Sequence, residues 1–235
     1  MSLAMTALKL TLAAYLFGSV PYGVLVGALH GVDVMNAGSR NTGATNVGRL
    51  LGRRWGVLVF LLDMTKGFLP TLLAVFVLDG LRVAGQVGPV TARLVGLGVG
   101  LACILGHNYS LVLRFRGGRG VATSLGVCLG VYPDLTVPAL AAFLVWTAVV
   151  VVSRYISLGS VTACAVFPVF VVGWSVMRGS PALRHDWPLL TFALLVAVLG
   201  LYRHRANIGR LLVGTEHRIG QSRPLSGVAS QPPPA

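Results

Sequence analysis

The sequence predicts an all-α, polytopic membrane protein, and three observations support this. Hydrophobic residues make up 55% of the 235-residue chain, and its mean hydropathy is +0.80. Only 11% of the residues are charged. Apolar runs recur from one end to the other, and a run of roughly 18 or more such residues marks a transmembrane helix. We therefore expect one integral membrane domain over residues 1–220 and a disordered, proline-containing tail over 221–235.

The apolar runs predict seven transmembrane segments, with a short fourth one. The fourth is shorter than the roughly 20 residues that a ~30 Å hydrocarbon core requires, so we expect either a half-buried helix extended by its flanking loop or a locally thin site. The first run follows no basic segment and has no clear cleavage site, so it is expected to be retained rather than removed as a signal peptide. The seven segments are residues 4–29, 55–78, 91–106, 120–131, 135–153, 157–177 and 187–202.

The distribution of arginine predicts the orientation. The chain has 19 Lys and Arg against 6 Asp and Glu, for a net charge of +13. In a soluble protein this would indicate nucleic acid, but basic residues also collect in the cytoplasmic loops of membrane proteins. Seven crossings with the N-terminus outside place 13 arginines in the cytoplasm and 4 outside, whereas a re-entrant fourth segment gives 9 and 8. We expect the N-terminus outside, the C-terminus in the cytoplasm and no nucleic-acid partner.

The cysteines and acidic residues predict no metal or cofactor. The cysteines are dispersed in apolar runs, as is typical of small buried hydrophobes. The acids do not form the carboxylate clusters that hold Mg²⁺ or a dimetal centre. These residues are Cys103, Cys128, Cys164, Asp33, Asp63, Asp79, Asp134, Asp186 and Glu216.

A first polar segment, residues 38–49, follows the first apolar run. Its glycines allow backbone N–H groups to approach an anion closely, and successive N–H groups form an anion-binding concavity. Short hydroxyl and amide side chains complete a phosphate cradle, and Arg49 adds a forked donor. The alternative is a tight loop of Asx-type turns. The candidate ligands are Ser39, Asn41, Thr45, Asn46 and Arg49.

A second polar segment, the glycine loop Gly117–Gly120, directly precedes the fourth apolar run. The start of a helix presents free N–H groups and the positive end of its dipole, both of which favour an anion. Arg119 and Thr123 are further candidate ligands. A Gly-Gly-Arg-Gly sequence alone can also be a flexible linker, but Gly106-His107 and two more arginines lie in the same loop.

A third polar segment, residues 203–216, follows the last apolar run. Arg203, Asn207 and Arg210 are spaced i, i+4, i+7 and share one helical face, with His204 beside them. The alternatives are a basic helix on anionic headgroups and a simple ion pair of Glu216 with Arg210. With seven crossings, all three polar segments lie on the cytoplasmic side, where they could form one site.

Charged residues also occur within the apolar runs. Asp63 and Lys66 are three residues apart in the second run, and such groups are costly at membrane depth unless they are paired or face a polar cavity. Two interpretations remain open: a structural ion pair between Asp63 and Lys66, and a contact between Lys66 and substrate. Residues 154–160 form a shorter polar segment that includes Ser157.

Taken in order, these segments resemble the bacterial membrane glycerol-3-phosphate acyltransferases that use acyl-phosphate, the PlsY family. The family's Ser-Gly-Asn-x-Gly-Ala-Thr-Asn is similar to residues 39–46, and its Gly-Gly-Lys-Gly-Val-Ala-Thr to residues 117–123. Its Arg-His-x-x-Asn-Ile-x-Arg-Leu-x-x-Gly-x-Glu is matched at every fixed position from Arg203 to Glu216. Two departures are Arg40, where the family has glycine, and Arg119, where it has lysine.

The resemblance implies an enzyme that transfers a fatty acyl group from acyl-phosphate to the sn-1 hydroxyl of glycerol 3-phosphate. The products are 1-acyl-glycerol 3-phosphate (lysophosphatidic acid) and phosphate, in the first step of phospholipid synthesis. It also implies a multi-pass protein of the bacterial plasma membrane, a cytoplasmic active site, and possible contact with the enzyme that makes acyl-phosphate. Because a mixed anhydride has a good leaving group, the site must mainly position two phosphates and neutralise charge.

Under this interpretation we predict two sets of site residues. Ser39 and Arg49 hold glycerol phosphate, Arg119 and its glycines bind acyl-phosphate, and the base is either His204 or a substrate phosphate. The catalytic set is Ser39, Arg49, Arg119, His204 and Asn207. The substrate-binding set is Asn41, Thr45, Asn46, Lys66, Gly117, Gly118, Gly120, Thr123, Ser157, Arg203 and Glu216.

Two other functions are weighed against this one. A membrane transporter of a phosphorylated metabolite would use the same arginines, but the sequence has no inverted repeat, and all its polar segments fall on one side. A lipid-binding scaffold would explain the basic third segment but neither glycine-rich segment.

Overall fold

The computed structural model describes residues 2–180 and 186–221, and its described residues form helices and no strands. This confirms the predicted all-α class. The tail predicted to be disordered lies, apart from Gln221, outside the described residues. The helices are α1 Leu3–Gly18, α2 Tyr22–Leu29, α3 Ala44–Leu51, α4 Arg53–Val83, α5 Pro89–Asn108, α6 Val121–Gly130, α7 Thr136–Ser153, α8 Ile156–Met177, α9 Trp187–Arg203 and α10 Arg205–Leu212.

The described residues contain five stretches that are long and apolar enough to cross a membrane. They are Leu3–Leu29, which combines α1 and α2, and the helices α4, α5, α7 and α8. A sixth is added if α9 and α10, which are bent by 58° at His204, are counted as one span. The predicted fourth segment is the ten-residue helix α6. The chain is therefore a multi-pass membrane protein.

The first apolar run is broken, which differs from the single segment predicted over 4–29. Helix α1 ends at Gly18 and α2 begins at Tyr22, because Pro21 lacks an N–H group and its ring clashes with the preceding turn. Side chains from α4 and from the loop after α5 donate hydrogen bonds to the carbonyl groups of the break. Ser110 Oγ donates to Ser19 O at 2.6 Å, and Lys66 Nζ donates to Val20 O at 2.9 Å.

Close packing of α4 against α6 depends on glycine. A Cβ atom at Gly67 would collide with the Thr123 carbonyl, and one at Gly126 would collide with the Met64 carbonyl. Small residues allow membrane helices to approach this closely and gain dispersion contacts. The contact holds the first turn of α6 against the middle of α4, which also carries Asp63.

The end of the bundle where α4 and α8 end and α5, α7 and α9 begin is closed by ion pairs. Arg93 donates to Asp186 Oδ1 at 2.9 Å and to Asp134 Oδ2 at 3.2 Å. Arg178 pairs with both aspartates, and Ser175 Oγ donates to Asp186 Oδ2 at 2.7 Å. Each cation contacts two anions, so the cluster joins α5, α8, α9 and the segment before α7. We call it the ionic ring.

Candidate active site

All three polar segments meet at one cavity of about 180 Å³ at the opposite end of the bundle from the ionic ring. Ten of the sixteen predicted site residues line this main cavity. They are Ser39, Asn41, Thr45, Asn46, Arg49, Arg119, Gly120, Ser157, His204 and Glu216.

Asn46 organises the first polar segment. Its side chain is 1% exposed and donates to the carbonyls of Val34, Ala37 and Asn41 at 3.0, 3.2 and 2.9 Å. Its Oδ1 accepts a hydrogen bond from the Ser39 N–H at 2.8 Å. These four bonds use both the donor and the acceptor atoms of the side chain, so Asn46 holds the backbone of the first polar segment in place. Its predicted contact with substrate stays a prediction.

Arg40 adopts the left-handed conformation, with φ of +53°, at the position where the family pattern has glycine. The left-handed conformation costs a residue with a Cβ atom roughly 1–2 kcal/mol. The Arg40 side chain is exposed and does not line the main cavity. The arginine therefore occupies a backbone position that suits glycine.

Arg40→Gly should raise the thermal unfolding midpoint without loss of activity. The left-handed strain is removed, and after the entropic cost of a glycine in the unfolded chain we expect a gain of about 0.5–1 kcal/mol. Unfolding in detergent micelles measures it. Arg40→Ala is the control, since it removes the guanidinium but keeps the strain, and equal midpoints for the two variants would contradict the explanation.

The glycine loop packs directly on the end of α5. A Cβ at Gly117 would collide with the His107 carbonyl, and one at Gly118 with the His107 ring. Gly120 has φ of +83° and precedes α6, and a Cβ there would lie 2.7 Å from Asn108 Oδ1. A Cβ atom would require a backbone shift at Gly117 and movement of the His107 ring at Gly118, and the positive φ at Gly120 disfavours any residue but glycine. The loop thus places the first turn of α6, with its free N–H groups, at the main cavity.

Arg203 fixes the same loop from α9. Its Nη2 donates to the carbonyls of Gly117 and Gly118 at 2.8 and 2.7 Å, and its Nε donates to Gly118 at 3.1 Å. Its guanidinium also lies 5.1 Å from the centre of the Tyr109 ring. The structure therefore uses Arg203 to position the loop. Arg203, Gly117 and Gly118 do not line the main cavity, so their predicted substrate contacts are not supported by this geometry.

Arg119 extends from the loop into a strongly cationic environment. Burial lowers the pKa of its guanidinium to about 10, with a partial offset from Glu216 and further lowering by Arg210, Arg49 and Arg203. The group therefore remains charged at neutral pH while it is largely removed from water. A desolvated cation beside other cations attracts an anion more strongly than an exposed one does.

His204 lies at the bend between α9 and α10, is 2% exposed and lines the main cavity. Its Nδ1 is 2.8 Å from the Gly200 carbonyl oxygen. A carbonyl oxygen only accepts hydrogen bonds, so Nδ1 carries the proton and Nε2 is left as the proton acceptor. This is the tautomer that a general base requires.

Glu216 closes the third polar segment. Asn207 Nδ2 donates to its Oε1 and Arg210 Nε to its Oε2, both at 2.7 Å. Burial alone would raise the pKa of Glu216, but these hydrogen bonds outweigh it, so the pKa is lowered and the carboxylate is ionised. The amide of Asn207 donates its hydrogen bond to Glu216, and the residue does not line the main cavity. Its predicted role in orienting substrate stays a prediction.

Lys66 differs most from its predicted role. The residue is 1% exposed and lines a separate cavity of about 10 Å³, and its ammonium pairs with Asp63 Oδ1 at 2.9 Å. Together with its bond to Val20, these contacts direct it away from the main cavity, because a cation at membrane depth needs a partner. The geometry therefore supports the structural ion pair, and the predicted substrate contact of Lys66 stays a prediction. Thr123 is fully buried at the α4–α6 contact and also lies outside the main cavity.

The main cavity continues from its polar end into an apolar arm between α6, α7, α8 and α9. From Ser157 to Phe167, which both line it, α8 rises by about 15 Å. Phe143 and Trp146 stack with their ring centres 5.4 Å apart on the α7 side. The arm runs into the region where helices face lipid, so it suits a long apolar group. The apolar run pattern did not reveal it, because lipid-facing and cavity-facing residues are equally apolar.

Two titratable residues outside the predicted sets, Asp63 and His107, also line the main cavity. They come from α4 and α5, 44 positions apart in the sequence. A charged residue within an apolar run was the available signal for Asp63, and the Gly106-His107 pair was the signal for His107.

This arrangement defines a multi-pass helical membrane protein with one cavity that joins a cationic, glycine-lined end to an apolar arm. The family model of glycerol-3-phosphate acyltransferase matches residues 8–214, and the chain belongs to that family. The glycerol-3-phosphate acyltransferase of Aquifex aeolicus (strain VF5) is 44% identical over 217 residues, which is 92% of this chain and 100% of the relative.

Solved structures show the same relationship. The crystal structure of PlsY (YgiH), an integral membrane glycerol 3-phosphate acyltransferase, in its glycerol 3-phosphate form is 42% identical, with a TM-score of 0.74. The form of that enzyme with lysophosphatidic acid has a TM-score of 0.73. Each match covers 92% of this chain and 96% of the solved chain.

Proposed function

We propose that this protein transfers a fatty acyl group from acyl-phosphate to the sn-1 hydroxyl of glycerol 3-phosphate. The observation that carries the proposal is the main cavity itself, whose cationic end suits phosphate and whose apolar arm suits an acyl chain. Family relatives named for the same acceptor, and a neighbour solved with glycerol 3-phosphate and with lysophosphatidic acid, support it.

The chemistry follows from the two ends of the cavity. The sn-1 oxygen attacks the acyl carbonyl carbon, a C–O ester bond forms, and the C–O bond to phosphate breaks. Inorganic phosphate departs, and the hydroxyl proton passes either to His204 Nε2 or to a phosphate oxygen. Arg49 and Arg119 neutralise the phosphates, and the α6 N–H groups stabilise the leaving anion. Alignment of two bound reactants supplies much of the rate.

The membrane arrangement belongs to the proposal. Residues 1–220 form one catalytic membrane domain with seven crossings, of which the short helix α6 makes the fourth. The N-terminus is outside and the C-terminus is in the cytoplasm, as the arginine distribution supports. The protein would thus act in the bacterial plasma membrane, take glycerol 3-phosphate from the cytoplasm, and receive acyl-phosphate from the enzyme that makes it, through direct contact or through the bilayer.

A phosphate-release assay tests the function. Purified protein in lipid vesicles receives palmitoyl-phosphate with or without glycerol 3-phosphate, and the lipid product is identified by mass spectrometry. We expect phosphate and lysophosphatidic acid only when both substrates are present. Glycerol 3-phosphate uptake into vesicles without acyl transfer would instead establish the transporter alternative.

Ala142→Phe should shift the enzyme towards short acyl donors. Ala142 is 5% exposed and lines the apolar arm, so a phenyl ring there shortens the space for a chain. We expect kcat/KM for palmitoyl-phosphate to fall at least ~10-fold, with hexanoyl-phosphate within ~3-fold of wild type. Leu144→Phe is the control, because Leu144 is 70% exposed on the same helix and does not line the cavity. An equal loss for both donors would remove the arm from acyl-chain binding.

A further inference from the structure

The polar end of the main cavity presents many donors and few charged acceptors. Arg49, Arg119 and the N–H groups at the start of α6 all donate, which suits two phosphates. Glycerol 3-phosphate also carries two hydroxyl groups, and each needs an acceptor if it is to be oriented. Among the described residues that line the cavity, only two are carboxylates, Asp63 and Glu216.

Glu216 already accepts hydrogen bonds from other protein side chains. Each of its carboxylate oxygens accepts a hydrogen bond of 2.7 Å from the third polar segment, one from Asn207 and one from Arg210. A substrate hydroxyl at Glu216 would share an oxygen with one of these bonds, whereas Asp63 is bonded by Lys66 at Oδ1 alone. Asp63 is therefore the better acceptor for a hydroxyl group.

Asp63 is held in place for such a role. Its side chain is 3% exposed, and Lys66 Nζ bonds its Oδ1 at 2.9 Å. Lys66 is itself fixed to the Val20 carbonyl at the break between α1 and α2. The lysine neutralises the carboxylate from the side of the small cavity, so Asp63 can remain ionised below the membrane surface while it lines the main cavity.

His107 is the second group of this pair. It is 7% exposed and lines the main cavity, and its Nδ1 has no hydrogen-bond partner among the described residues. The atom lies 3.6 Å from Asp63 Oδ1, which is longer than a hydrogen bond. A buried polar atom without a partner is costly, and a small movement of the ring would let the Nδ1–H group donate to Asp63 Oδ1. The other edge of the ring packs against Gly118.

We propose that Asp63 and His107 form a subsite that recognises the sn-2 hydroxyl of the acceptor. Asp63 accepts the hydrogen bond from that hydroxyl, and the His107 ring beside it positions the Asp63 carboxylate. The sn-1 hydroxyl must face the acyl carbonyl and the proton acceptor near His204 on α9, which leaves the other hydroxyl for the α4 side. The subsite rests on the proposed acyl transfer and adds selection of a glycerol backbone over other phosphomonoesters.

The experiment compares two acceptors, glycerol 3-phosphate and 3-hydroxypropyl phosphate, which lacks only the sn-2 hydroxyl. Wild-type protein should prefer glycerol 3-phosphate by roughly tenfold to hundredfold in kcat/KM, the range for a hydrogen bond to a charged group. Asp63→Asn should lose most of that preference: its kcat/KM falls for glycerol 3-phosphate, with 3-hydroxypropyl phosphate within ~3-fold of wild type.

Asp79→Asn is the matched control. Asp79 lies on the same helix and pairs with Arg82 at the same i, i+3 spacing, but it is exposed and far from the main cavity. It should keep the wild-type preference. Because Asp63→Asn leaves Lys66 buried without its anion, the double variant Asp63→Asn/Lys66→Met, which removes both charges, is measured as well and should show the same loss of preference.

Three outcomes separate the possibilities. An equal fall for both acceptors in the single and double variants would make Asp63 structural or a base, and would overturn the subsite. Wild-type protein that does not distinguish the acceptors would overturn it too. Absence of acyl transfer to either acceptor by wild-type protein would instead refute the proposed function on which the subsite rests.

Discussion

His204→Gln should lower kcat by ~100-fold or more and change the KM values for both substrates far less. Nδ1 donates to the Gly200 carbonyl, so Nε2 is available to accept the proton from the attacking hydroxyl. Glutamine can still form hydrogen bonds but cannot act as a base at neutral pH. Steady-state kinetics with both substrates varied, over a range of pH, measure the effect.

His30→Gln is the matched control for this experiment. His30 Nδ1 bonds the carbonyl four residues earlier, Val26 O, at 2.8 Å, as His204 Nδ1 does with Gly200. His30 is exposed and does not line the main cavity, so its replacement should leave kcat within ~2-fold of wild type. If His204→Gln is equally mild and the pH profile is unchanged, His204 orients substrate and the proton goes to a phosphate oxygen.

Gly117→Ala should reduce kcat/KM for acyl-phosphate by ~100-fold or more. The added methyl group would collide with the His107 carbonyl and lie 2.7 Å from that of Asn108, so the glycine loop must move and carry Arg119 with it. A displacement of about 1 Å in a positioning group can cost this much. Kinetics on protein that still shows a cooperative thermal transition separates misplacement from unfolding.

Two further variants locate the cause of that loss. Gly209→Ala adds the same methyl group within α10, where a Cβ meets nothing within 4 Å, and should be neutral or slightly stabilising. Arg203→Lys keeps the charge but loses the forked contacts to the Gly117 and Gly118 carbonyls, so its loss should be intermediate. Wild-type kinetics in Gly117→Ala would show that the loop does not position the donor.

The apolar runs predicted the helices well because the bilayer imposes a length on each span. The predicted run 157–177 corresponds to α8, Ile156–Met177, and 187–202 corresponds to α9, Trp187–Arg203. The break in the first run was missed, although Pro21 was the available signal. Helix α3 was missed as well, because six of its eight residues lie within the first polar segment, which was interpreted as a phosphate cradle or a tight loop.

The site residues that belong to sequence motifs were predictable from the sequence. The features of the site that depend on long-range contacts were not. Ser39, Arg49, Arg119 and His204 come from different segments and meet at one cavity, as the motifs suggested. Which donors remain available for substrate depends on distant partners that no local pattern shows. Arg203 bonds carbonyls 85 and 86 positions earlier, and Lys66 bonds one 46 positions earlier.

The ionic ring has a consequence for the electrostatic field of the whole molecule. Among the described residues at that end, three aspartates pair with three arginines, Arg82, Arg93 and Arg178, so the charges of these six residues cancel. The segments at the other end, residues 30–54, 107–119, 154 and 203–221, hold twelve arginines and two acids. Such an asymmetry steers small anions towards one mouth and accelerates their encounter with it. Added salt screens this attraction beyond about 10 Å, so ionic strength should slow substrate capture while leaving the bond-making step unchanged.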